Sequence, residues 1–85
     1  MYTLIYYVTE TKGTEVIERE YHYSDEYRLR RNALHYLREI VQNDYKEEGY
    51  ATSLLTGGLY CIKSEKTDKE ERKTTEIRIK VEKVK

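Results

Sequence analysis

The 85-residue sequence predicts an α+β fold, with one amphipathic helix packed on an antiparallel sheet as two layers, in the order ββαββ or ββαβββ. Three observations predict it. Residues 2–23 alternate apolar and polar side chains with period two around one glycine-bearing turn. Residues 25–48 change to a helical period, and residues 50–65 and 71–84 return to alternation. No proline, linker or low-complexity stretch interrupts the chain, so residues 1–85 read as a single small domain.

The first strand is "YTLIYYVT", residues 2–9. It sets Tyr2, Leu4, Tyr6 and Val8 on one face and Thr3, Ile5, Tyr7 and Thr9 on the other. "ETKGTE" follows, and Gly13 supplies the positive φ that a tight hairpin needs. The second strand then places Ile17, Arg19, Tyr21 and Tyr23 together. Val16, Glu18, Glu20 and His22 lie on the opposite face, which that composition turns toward solvent.

Ser24 suits a helix N-cap, with Asp25 and Glu26 in a first turn where the helix dipole favours acids. At about 100° per residue, Leu29, Ala33, Leu37, Ile40 and Val41 gather on one side, with Tyr27, Leu34 and Tyr45 at its margin. Arg30 and Asp44 are the charges inside that arc. Gly49 makes a C-terminal stop. The expectation is one helix from Asp25 to Glu48.

"TSLLTGGLYCIK", residues 52–63, is the least charged stretch of the chain. Gly57-Gly58 is either a hairpin turn between two strands or a bulge in one long strand that pairs with 71–84 after turning at "KTDK". The two are close, and the matched arm lengths favour the long bent hairpin. A phosphate-binding loop does not fit, because such loops lead into a helix and these glycines lead into "LYCIK".

Composition excludes several functions. Sixteen acids balance sixteen bases, which argues against both a strongly basic nucleic-acid binder and an acidic mimic of DNA. No run of about 18 apolar residues offers a membrane span. Glu10, Lys12 and Glu15 break the apolar start too early for a signal peptide. A single cysteine forms no internal disulfide, so the expected setting is cytoplasmic.

Catalytic chemistry has few candidates. Cys61 lies among Leu59, Tyr60 and Ile62, where an inert buried thiol is expected, and of the only histidines His35 falls on the polar helix face while His22 alternates with glutamates. Two histidines and one cysteine also lack the paired spacing of a zinc site. The expectation is a non-enzyme without metal or cofactor. Nucleic acid is the alternative partner: Arg28, Arg31, His35 and Arg38 would form a stripe along the helix, and sheet tyrosines could stack bases.

Ten tyrosines, against no phenylalanine or tryptophan, are the most unusual feature. In a thin domain a tyrosine buries its ring at the rim and keeps its hydroxyl in water. That accounts for Tyr2, Tyr6, Tyr21 and Tyr50, but not for Ile5 and Tyr7 on the face opposite the helix. Tyrosine and arginine are enriched where proteins meet. Ile5, Tyr7 and Leu55 are therefore the expected interface of a non-catalytic protein-interaction module that forms a homodimer or binds and inhibits a partner. The short length and the wealth of Lys, Glu, Tyr and Ile resemble small proteins of bacteriophages and mobile elements, and that resemblance implies blocking of a host protein.

Overall fold

The computed structural model describes residues 1–22, 25–66 and 71–84. Five strands form one antiparallel sheet: β1 (Tyr2–Lys12), β2 (Glu15–His22), β3 (Ala51–Leu55), β4 (Gly58–Lys66) and β5 (Arg72–Lys83), in the spatial order β2-β1-β5-β4-β3. One helical rod, residues 30–47, packs across a single face. The two-layer α+β expectation holds, in its five-stranded form.

The register follows the alternation in the sequence. Leu4 faces Val81, Tyr6 faces Ile79 and Val8 faces Ile77 across β1 and β5, while Leu59 and Cys61 of β4 oppose Ile79 and Ile77. These side chains meet Ala33, Leu37 and Val41 of the helix to form the core. Leu4, Leu37, Leu59, Ile79 and Cys61 are fully buried, and each large aliphatic chain so placed contributes roughly 1.5–3 kcal/mol. Tyr2, Tyr27, Tyr36, Tyr45 and Tyr50 pack around this cluster, so five of the tyrosines form its rim.

The glycine pair terminates a strand. Leu55 pairs with Gly58, and Thr56 and Gly57 form the turn between β3 and β4, with Gly57 at φ +72°. The long bent hairpin is thereby corrected to two strands. Gly58 has a separate reason to be glycine, since a Cβ there would run into the backbone carbonyl of Ile79. At the other hairpin Gly13 takes φ +60°, as the sequence predicts.

The helix begins five residues later than expected. Tyr2 and Tyr27 exchange two backbone hydrogen bonds of 2.7 Å, and the Thr3 hydroxyl donates to the Asp25 carbonyl at 3.1 Å. Residues 25–29 are thus held as a strap beside the start of β1, with Leu29 still extended at φ −115° and ψ 138°. Ordinary dipole preferences of Asp25 and Glu26 lose to this pairing and to burial of the Tyr27 ring against Tyr36, with ring centroids 5.9 Å apart. The proposed cap, Ser24, and the "KTDK" turn beyond Lys66 lie outside the described residues.

Three segments make up the rod: α1 (Arg30–Tyr36), a π-helical turn (Leu37–Val41) and α2 (Gln42–Glu47). The wider turn closes with the Gln42 amide on the Leu37 carbonyl. Each residue in it advances by less than 100°, so everything beyond is rotated back relative to an ideal α-helix. Val41 stays over the core and Tyr45 is carried in from the margin, while Ile40 moves out and is 46% exposed. Asp44, which α periodicity puts inside the apolar arc, is exposed. The Asn43 side-chain amide reaches back to the Glu39 carbonyl at 2.7 Å and gives that loosened turn a donor. Gly49, at φ +94°, ends the rod where expected.

Candidate interaction surfaces

Two surfaces were singled out by the sequence, the sheet face away from the helix and the solvent side of the rod, and the two sheet edges join them in the structure. On the open face, Ile5 and Tyr7 lie side by side on β1, and Leu55 does share their face. They do not form one patch. Leu55 is in the same cross-strand row as Ile5, but Gly58 and Lys80 stand between them, a gap of three strand spacings or roughly 14 Å.

Ile5 is also no exposed anchor, with 6% of its surface accessible. Its cross-strand neighbour is Lys80, whose ammonium lies over the adjacent Tyr7 ring, 5.8 Å from the centroid. A central strand shelters even its open-face residues in this way. The expected apolar patch therefore reduces to half-buried Tyr7 and exposed Leu55.

Around Tyr7 the open face forms a hollow of about 720 Å³, lined by Glu18, Glu20, Glu76, Arg78 and Lys80 among others. Arg78 sits 5.8 Å from the Tyr60 ring centroid, and the Tyr60 hydroxyl donates to Glu76 at 3.0 Å. Burial and the Glu82 and Glu20 carboxylates push the Tyr7 phenol above its ordinary range. Carboxylates thus interleave with every cation here, and the hollow has no field of one sign with which to gather phosphates.

Of the arginine stripe, Arg31, His35 and Arg38 lie on the rod and are exposed. Arg28 does not join them, because it belongs to the strap that precedes the helix. Cys61 is wholly buried, and burial pushes its thiol from 9.0 to about 11, so near neutrality it is a protonated core residue rather than a nucleophile. Among the described residues no cluster of His, Cys, Asp and Glu is placed to hold a metal ion, and no helix is long and apolar enough to cross a membrane.

The sheet edges were not singled out by the sequence, although the uncharged stretch that contains one of them was. β3 has β4 on one side and, among the described residues, no strand on the other. Its residues, Ala51-Thr52-Ser53-Leu54-Leu55, bear no charge, and Leu54 and Leu55 are 52% and 44% exposed. The inner side of the strand is tied to the rod where the Gln42 side-chain amide donates to the Thr52 hydroxyl at 3.0 Å. An edge that is uncharged, apolar and firmly held is a template for another strand. No family model, curated protein or solved structure matches the chain.

Proposed function

We propose that this chain is a non-catalytic protein-interaction module, acting in a cytoplasmic setting by self-association or by binding and inhibiting a partner protein. The observation that carries it is the open β3 edge, where unpaired backbone groups coincide with the exposed Leu54 and Leu55 and with an absence of charge. Backbone hydrogen bonds along such an edge supply affinity and flanking side chains supply selectivity. The interface expected at Ile5, Tyr7 and Leu55 is thereby moved to the edge, with Leu55 as the residue the two share.

Immobilised wild type and a Leu54→Lys, Leu55→Lys variant, each checked for folding by circular dichroism, provide the test. Proteins retained by the wild type, this chain itself included, should be lost from the variant. Identical retention by both would sink the proposal.

The nucleic-acid alternative keeps one supporting observation, the pairing of Tyr7 with Lys80 and of Tyr60 with Arg78 on the open face. It predicts single-strand binding that falls steeply with salt and is abolished by Arg78→Glu with Lys80→Glu. No binding at low salt and micromolar protein removes it.

A further inference from the structure

We propose that a second copy of this chain pairs with β3, antiparallel, about a twofold axis at Ser53, so that two five-stranded sheets join edge to edge. The inference rests on the protein-interaction reading and names its partner. A twofold axis normal to the sheet opposes residues that share a face, so the axis must pass through one residue of the strand rather than between two. At Ser53 this sets Ser53 against itself, Thr52 against Leu54 of the second copy, and Ala51 against Leu55 of the second copy. Each leucine meets a smaller side chain, and no charge meets its own image.

The same operation is poorer at the other edge. Through the middle of β2 the axis falls on Glu18, which then opposes itself, or on Arg19, which opposes itself and sets Glu18 against Glu20. Like charges directly opposed across strands are destabilising. A register centred on Ile17 avoids this, setting Glu15 against Arg19, but leaves residues 20–22 unpaired, whereas β3 pairs over its full length with no charge. The Gln42–Thr52 hydrogen bond holds that strand in place before pairing, which lowers the ordering cost of association.

Ser53 is exposed, so charge there leaves the fold intact and places like charges across the axis. Sedimentation velocity at roughly 100 μM, where a small interface is expected to associate, should show a dimer for the wild type. Ser53→Lys and Ser53→Glu should each be monomeric, with association weakened at least about tenfold. Mixed in equal amounts, the two variants should dimerise again.

Hydrogen exchange of the unaltered protein gives a second readout. Protection of β3 amides should rise with protein concentration while that of β2 stays constant. A wild type that remains monomeric, a dimer indifferent to both charges, or concentration-dependent protection at β2 instead would each overturn the proposal. Were the wild type monomeric yet still to retain a foreign protein through Leu54 and Leu55, the second copy would fail while the interaction reading survived. Loss of both would end both.

Discussion

The two edges of this sheet are built on different principles. β2 runs for eight residues, is exposed along residues 15–21, and interrupts Val16 and Ile17 with Glu15, Glu18, Arg19 and Glu20. β3 runs for five residues and has no charge at all. Proteins blunt open edges either with charges or by keeping them short. Here the long edge has the chemical guard and the short edge has only its length. An unguarded edge on an otherwise heavily charged chain is a specific departure, and it concentrates the capacity for strand pairing in one place.

The hairpins that support these edges should differ most. Gly58→Ala forces the backbone of Ile79 to move and should cost about 3 kcal/mol, because overpacking against a main-chain carbonyl has no flexible partner to yield. Gly13→Ala should cost about 1 kcal/mol, the penalty of a left-handed alanine, since its Cβ meets only the Glu71 carboxyl at 3.9 Å. Urea unfolding of the two variants measures the gap. Equal midpoints would mean that β3 and β2 hang on their turns alike.

Next in size is the open face. Truncating Ile5 to alanine should destabilise by about 2 kcal/mol, the low end for a buried aliphatic. Leu55→Ala, on the edge, should change stability by less than about 0.5 kcal/mol and act on association alone. A destabilising Leu55 variant would place that residue in the fold rather than at an interface.

Cys61 pairs with Thr52 across β4 and β3, so its thiol reports opening of the unguarded hairpin. A thiol reagent at neutral pH should label it slowly in the native state and rapidly in urea. Because folding raises its pKa from 9.0 to about 11, the unfolded chain loses this proton first as pH rises. The thiol's contribution is whole below pH 9 and declines by at most ~1.4 kcal/mol per pH unit toward pH 11. Burial also raises the Tyr45 phenol, and the same sign applies. Denaturation midpoints that hold steady between pH 8 and about 11 would contradict both shifts.

The smallest effect on stability is expected at β2. Glu18→Thr with Glu20→Thr should leave the unfolding midpoint within about 0.5 kcal/mol of wild type, as surface changes do. The same variant should nevertheless self-associate more, because it strips the guard. Light scattering against concentration is the measure, and no increase would show that those charges do not protect the edge.

The faces of β1, β2 and β5 and the Gly13 hairpin follow from period-two alternation and turn chemistry, since those are local properties of the chain. The turn at Gly57 does not, because matched arm lengths favour a bulge there. Nor does the helix start. The strap at Asp25–Leu29 is decided by the Tyr2–Tyr27 pairing, a contact between distant residues that no local rule contains. Shelter of Ile5 was equally hidden, because it depends on which strands flank β1 on either side. The β3 edge was half legible: its lack of charge was plain, while its place at the end of the sheet required the strand order.

The π turn at Leu37–Val41 amounts to an accommodated length change inside a helix rather than in a loop. Such a turn works as a phase shifter between two half-rods, each keeping its own apolar stripe. Were Leu37–Val41 wound as plain α-helix at the same length, the second half would rotate by about a residue's worth of arc, some 100°. Asp44 would then swing toward the core and Tyr45 away from it, although neither had been altered. For this chain, loss of one residue inside the π turn is therefore absorbed by a return to plain α-helix, whereas the same loss elsewhere in the rod changes core composition at a distance.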